Sequence, residues 1–374
     1  MSVSSSVEPR ILTHFEKCLD PRTRPVRYPL PEIILLVFVA TICGEEGWEA
    51  IVEWGEDKLQ VLRRFLPYEA GIPSPDTVRR VIERVNPQEF LGSFTSWAQE
   101  FKKRESGQVC IDGKVLKHAL KEGGPLHLVS AWCEQNRMVI GTVPTASKSN
   151  EIPAIKSLLE SLVLLQGDVV TIDAIGCQKA IVDSISNKGA DYVIALKRNQ
   201  ANLAAEIENF FTQALKAPDH APCQVYEKHS NDHGRVDTQQ VWVCHELDWL
   251  PQLGDWANLS SVIMIKRKWQ SGKKFHEETR YYISSLTGSP EKLAGLIRRH
   301  WSIENEFHWH LDVTFGEDDS AIGGQANENL RVARMVALEL LRAEKTNKRG
   351  LKAKSRRCNR VDSYLEKVLM VGNF

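Results

Sequence analysis

Residues 168–197 read DVVTIDAIGCQKAIVDSISNKGADYVIALK, and this stretch decides the fold class. An apolar, β-branched run ends at Asp173, a helical pattern follows from Cys177 to Asn187, and a second apolar run starts after Gly189. Strand, helix and strand in that order form the unit that joins parallel neighbours in a sheet. Upstream, VCIDGK (109–114), LHLVSAWC (126–133) and RMVIGTV (137–143) are short apolar runs separated by charged or glycine-containing turns. They predict a three-strand antiparallel meander. The stretch SKSNEIP (147–153) caps an amphipathic helix over Ala154–Leu165. The expected core is therefore α/β with a mixed sheet, in the order β-β-β-α-β-α-β and then α.

The flanks read differently. Residues 1 to about 30 are rich in proline and arginine, and the pattern from Pro31 to about Lys103 is helical. Ile33–Cys43 is a buried helix and Trp48–Leu66 an amphipathic one. After a turn at Gly71 and Pro73, Ser74-Pro75-Asp76-Thr77 opens another helix. This all-α segment, 1–104, is compatible with a helix-turn-helix DNA reader and equally with a small helical packing domain. The core occupies 105–200. Residues 201–290 start with a polar helix over Ala201–Leu215. Strand-like runs follow at 233–247, 260–269 and 278–286, which predicts a β-rich insertion. Residues 291–342 carry further helices, among them Asn329–Arg342, and 343–374 form a basic tail.

Composition is that of a soluble globular protein: 374 residues, 42% hydrophobic, with 48 basic and 48 acidic residues. This neutrality argues against non-specific coating of nucleic acid but permits a local basic surface. The eight cysteines show no C-x-x-C pairing and read as buried thiols in a reducing compartment. The N-terminus lacks a secretory pattern, and the longest apolar run is too short to span a bilayer, so a cytoplasmic protein with no membrane partner is expected.

Two aspartates, Asp112 and Asp173, end apolar strands. In open α/β sheets ligands bind at that edge. On neighbouring strands the two carboxylates would face each other at about one strand spacing, roughly 5 Å. A hard divalent cation relieves such a pair. Capping a helix or turn is the ordinary alternative for each aspartate. A third carboxylate comes from HWSIENEFHWHLDVTFGED (300–318). At 100° per residue, Ile297, His300, Trp301, Phe307, His308, Leu311 and Phe315 share a helix face with Glu304, and Glu306 lies opposite. This predicts one inward glutamate whose burial a metal ion would relieve. Zinc is disfavoured because His308 and His310 diverge on a helix and no His-x-x-x-His pair occurs.

The chain resembles the insertion-sequence transposases of the H-repeat-associated type, which have a DDE catalytic domain of ribonuclease-H-like fold. The resemblance runs through LPEIILLVFVATICGEEGWEAIVEWG (30–55), AGIPSPDTVRRVI (70–82), IDGKVLK (111–117), KSNEIPAI (148–155), VVTIDAIGCQKAIV (169–182) and GADYVIALKRNQ (189–200). It continues through 300–318 and NENLRVARMVALELLR (327–342). It implies a catalytic, metal-binding triad at Asp112, Asp173 and Glu304, with two Mg²⁺ or Mn²⁺ ions. Asp112 would bridge both ions, while Asp173 and Glu304 each complete one. It further implies cleavage at the element's ends and strand transfer into target DNA. The partners would be double-stranded DNA, as terminal inverted repeats and target, and a second copy of the chain in a homodimer on DNA. The cytoplasm of a bacterium, at the nucleoid, would be the place.

Where related transposases carry a tyrosine, an arginine and a lysine around the glutamate, this chain has Ile297, His300 and Leu311. Val115 and Lys117 replace a threonine and an arginine after DGK. Candidate DNA contacts are therefore His300, His308, Lys114 and Lys117. Further candidates are Lys266, Arg267 and Lys268 beside Trp269, then Arg79, Arg80 and Arg84 on the second N-terminal helix. The last are Arg356 and Arg357, within 342–360, where nine basic residues face one acid. A metal-dependent nuclease without strand transfer, or a DNA-binding derivative without catalysis, would share much of this pattern.

Overall fold

The computed structural model describes residues 9–23, 25–101, 105–121, 124–145, 151–232, 235–271 and 274–371. Its centre is a mixed nine-stranded sheet with the order β3-β2-β1-β4-β5-β9-β8-β7-β6. The strands β1 (Gln108–Lys121), β2 (Gly124–Cys133) and β3 (Met138–Thr145) form the antiparallel meander. β4 (Val169–Ile172) and β5 (Asp191–Leu196) add to β1 in parallel, joined by helix α8 below. The β-β-β-α-β-α-β order is thus present. The strands between 201 and 290 do not form a separate body. β6 (Cys223–Asp232), β7 (Arg235–Cys244), β8 (Ser261–Ser271) and β9 (Lys274–Ser284) continue the same sheet, because β9 pairs antiparallel with β5. β6 has no counterpart in the expected pattern. Its largely exposed, polar sequence, QVYEKHS (224–230), gives the edge strand little apolar alternation.

Fourteen helices can be traced among the described residues. α1 (Arg10–Phe15), α2 (Leu30–Cys43), α3 (Trp48–Asp57), α4 (Leu59–Leu62), α5 (Pro75–Arg84) and α6 (Pro87–Phe101) make the N-terminal part. α7 (Glu151–Ser161), α8 (Lys179–Asn187) and α9 (Ala201–Lys216) follow the core strands. α10 (Pro290–Arg299), α11 (Trp309–Val313), α12 (Gly324–Ala343), α13 (Leu351–Arg360) and α14 (Asp362–Leu369) complete the chain. The SKSN stretch ahead of α7 lies outside the described residues.

Strand periodicity sorts the side chains between two faces. Val169, Val193, Val243, Ile263 and Tyr282 pack against Leu293, Leu296 and Ile297 of α10. On the opposite face α7 covers β2 and β3, where a Cβ on Gly141 would press on Leu158 and Leu162. α12 links the sheet to the N-terminal helices: it packs on β1, α2, α5 and α6 and is buried over most of its length. α2 is buried on nearly all sides, as its uniform apolarity requires, and it ends on Gly44 at φ +88°, a left-handed cap suited to glycine.

The basic tail is folded. α13 and α14 pack against α2 and α12 through Cys358, Tyr364, Leu365 and Val368. Lys354 is buried, donating to the carbonyls of Leu341 (2.9 Å) and Glu344. The tail docks because the helix's few apolar groups, and the stem of a lysine, lie on one side of it.

Candidate active site

β1 and β4 run parallel, and their last paired residues are Ile111 and Ile172. Asp112 and Asp173 come next, at the same end of adjacent strands. Period-two alternation puts Gln108, Cys110 and Asp112 on one face, beside Thr171 and Asp173. The helix α10 and the turn after it run along that face. Gln108 Nε2 donates to the carbonyl of Leu296 (2.8 Å) and to Thr171 Oγ1 (3.1 Å), and Cys110 Sγ donates to the carbonyl of Arg299 (3.6 Å). Asp173 accepts from the amide of Ile175 at 3.1 Å, so it also serves the capping role that sequence allowed.

Glu304 reaches this edge by a route that α-helical stepping did not foresee. Ile303–His308 is a π-helical turn, closed by the amide of Trp309 donating to the carbonyl of Glu304, five residues back. One extra residue per turn advances the phase, so the 100° projection fails here. Ile303, Phe307, His308, Leu311 and Phe315 are buried, whereas Glu304 is exposed and Trp301 is 43% exposed. The expectation of an inward, buried glutamate is therefore corrected: Glu304 opens on a cleft beside the core face. Glu306 is not idle either, since it pairs with Arg137, and its backbone carbonyl accepts from Arg342.

The cleft has a volume of about 630 Å³ and is lined by Asp112, Asp173 and Glu304, with Lys197, Arg198, Arg280, His300 and Trp301 around them. Burial pushes the Asp112 carboxyl up to about 7, and Glu304, Asp173 and Glu151 add to the rise. Partial desolvation at the cleft wall also raises Glu304. An all-oxygen set in which the neighbouring acids raise the proton affinity of Asp112 suits a hard cation. Among the described residues, no three His, Cys, Asp or Glu side chains already converge tightly enough to hold an ion. The exposed side chain of Glu304 is the member with room to adjust.

The histidines are packing neighbours. His300 is largely buried, bonds Thr171 Oγ1 through Nδ1 at 3.0 Å, and is held neutral by burial, its pKa falling to about 4. His308 is buried with Nδ1 3.7 Å from Asp112 Oδ2, and burial, Arg331 and Lys114 push it down to about 3. Neither offers a charge to phosphate at neutral pH. Lys114, expected on DNA, is buried between Asp312 and Glu317, 2.9 Å from Glu317 Oε2, which also pairs with Arg331. The side chain of Lys117 lies outside those described.

The other basic candidates lie apart from the triad. Lys266 and Lys268 approach Glu277 at 2.7 and 3.8 Å, and Arg267 pairs with Asp237 while lying over Trp269. Arg267 lines a second cavity, of about 710 Å³, which meets the triad cleft at Arg280 and Trp301. Arg79 pairs with Asp76 and Glu83; Arg80 is exposed, 3.9 Å from Asp76. Arg84 closes α5, whose end is held by Asn329 donating to the carbonyls of Ile82 and Val85. Arg356 and Arg357 are exposed on α13, Arg357 over the Tyr364 ring. Sequence reading missed Glu151, Lys197, Arg198 and Arg280. The signal for two of them was present in ALKRNQ, directly after a strand whose end meets the same cleft.

Residues 103–340 match the family described as Transposase DDE domain, and residues 12–98 match the one described as DDE_Tnp_1-associated. The chain belongs to the DDE transposase family. It is 36% identical to the H repeat-associated putative transposase YhhI of Escherichia coli K12, across 96% of this chain and 97% of that protein. It is 37% identical to the putative protein YbfL of the same strain (92% and 93%) and 34% identical to the putative transposase YncI of E. coli O157:H7 (92% and 90%). Membership makes DNA the substrate class of this transposase. No helix among its described residues is long and apolar enough to cross a membrane.

Proposed function

We propose that this transposase cleaves DNA at the ends of an insertion sequence and joins them to target DNA, with Asp112, Asp173 and Glu304 as the catalytic carboxylates. The observation that carries the reading is the meeting of two adjacent strand ends and a π-helical turn at one acidic cleft, in a chain of this family. Asp112, Asp173 and Glu304 would hold Mg²⁺ or Mn²⁺. When bound, two such ions activate the attacking oxygen and neutralise charge on the leaving one.

The chain's own groups divide the remaining work. His308, neutral and wedged behind Asp112, limits the swing of that carboxylate. Lys197, Arg198 and Arg280 give the cleft cationic walls on which DNA phosphates can lie. Strands β3-β2-β1-β4-β5 with α7 and α8 would constitute a ribonuclease-H-like core. In the same reading, 1–104 is an associated DNA-binding segment, 201–290 an insertion extending the sheet, 291–342 the bearer of the third acid, and 343–374 a basic helical close. Pairing two DNA ends calls for a homodimer on DNA, in the bacterial cytoplasm at the nucleoid.

The test offers full-length protein an end-labelled duplex carrying the flanking repeat and a target plasmid, with Mg²⁺ or Mn²⁺. Labelled plasmid is the expected product, absent with Asp112→Ala. Cleavage with no joined product would reduce the activity to that of a nuclease, and binding alone would leave a DNA-binding derivative.

A further inference from the structure

Cys223 and Cys244 stand directly opposite each other in the register of β6 and β7. The amide of Cys223 donates to the carbonyl of Ala221 at 2.7 Å, turned away from its partner strand. Such a non-hydrogen-bonded pair holds its Cα atoms roughly 4.5 Å apart, with side chains in close approach. A disulfide accepts Cα separations of about 4.4–6.8 Å. Closing a bond here therefore needs side-chain rotation and no shift of the strands.

The two thiols differ. Cys223, at the start of the edge strand, is only partly buried; Cys244 is enclosed. A hydrogen bond from the Cys223 thiol to the Cys244 sulfur lowers the Cys244 pKa and raises that of Cys223, so the pair can share one proton. We propose that Cys223 and Cys244 form a redox modification site that takes a low-molecular-weight disulfide and closes to a cross-strand disulfide.

The Cys223 sulfur, the accessible one, attacks the small disulfide RSSR while its proton passes to the Cys244 thiolate. A mixed disulfide forms and one RSH is released. Cys244 then gives up that proton to water, and its thiolate attacks the Cys223 sulfur, forming the cross-strand bond and expelling the second thiol. The protein loses two protons and two electrons, and RSSR gains them as two RSH. The bond would pin the free edge of the sheet, where Lys228 and Ser230 of β6 wall the second cavity. The proposal does not depend on the DNA chemistry.

The experiment treats the reduced full chain with excess oxidised glutathione and reads intact mass and disulfide-linked peptides. Wild type should lose two hydrogens with no retained glutathione, and the linked peptides should carry Cys223 and Cys244. Cys244→Ser, or Cys244→Ala should the serine variant unfold, should retain one glutathione on Cys223. Unchanged wild-type mass, a stable glutathione adduct on wild type, linkage between other cysteines, or no adduct on either folded Cys244 variant would each overturn the proposal.

Discussion

Lys114 Nζ lies 2.9 Å from Glu317 Oε2, and neither side chain has more than 8% of its surface exposed. This ion pair ties the strand that carries Asp112 to the segment after α11, and Arg331 extends it to α12. Lys114→Met would leave Glu317 with one cation fewer in a dry site. Breaking a buried pair from one side typically costs about 3–5 kcal/mol. The expected outcome is a loss of that order in urea unfolding, with Lys114→Arg retaining more than half. Burial pushes the Glu317 carboxyl up, but Arg331, Lys114 and Arg334 outweigh it and hold it at about 2. Its folded pKa is thus below the unfolded value. The stability it confers is present at neutral pH and lost as pH falls from about 4.5 towards 2.

Asp112 has the opposite sign. Its folded pKa, about 7, exceeds the ordinary 3.8, so the folded state binds the extra proton in that window. Stability contributed by the protonated acid is present below pH 3.8 and is lost as pH rises through about 7. Asp112→Asn should therefore melt higher than wild type at pH 8 without divalent ions, by roughly 2–4 kcal/mol, and the gap should vanish near pH 4. Adding Mg²⁺ should raise the wild-type melting temperature and leave the variant unmoved. Thermal melts at pH 4 and 8, with and without Mg²⁺, check both statements.

Glu304 and Glu306 make a pair of contrasting substitutions. Glu304 is exposed on its π-helical turn, so Glu304→Gln should change stability by less than about 0.5 kcal/mol while abolishing DNA cleavage. Glu306→Gln removes the partner of Arg137, an exposed ion pair worth about 1 kcal/mol or less, and should keep cleavage. Chemical denaturation paired with the labelled-duplex assay separates them; a Glu304→Gln enzyme that cuts normally would refute the assignment of the third acid.

How far the sequence reached depends on which physical signal each element sends. The strands around Asp112 and Asp173 are legible because buried parallel strands are short apolar runs, and the following acid marks their end. The π-helical turn was not legible, since no residue in IENEFH distinguishes a five-back hydrogen bond from a four-back one. Lys114 misled for a related reason. A lysine beside a catalytic acid looks like a phosphate ligand until Glu317, far away in sequence, is seen to claim it. β6 was hidden by its position: an edge strand with one solvated face and little apolar content carries almost no periodic signal.

The last prediction concerns α13. Trimming the chain after Arg342 would remove α13 and α14 and uncover the faces of α2 and α12 on which Cys358, Tyr364, Leu365 and Val368 pack, so truncation would report on folding before DNA binding. Arg356 and Arg357 are exposed on α13, and changing them costs that packing the contact of Arg357 over the Tyr364 ring but leaves Leu365 and Val368 covered. If both lie on phosphates, replacing them with glutamine should flatten the slope of log K against log salt by about 0.9 for each phosphate no longer neutralised. His300→Asn should leave the slope unchanged, because a buried neutral imidazole releases no counterion. Titrations of a labelled duplex at several salt concentrations decide between these outcomes, and an unchanged slope for the double arginine variant would place DNA elsewhere, along the Arg198 and Arg280 walls of the cleft.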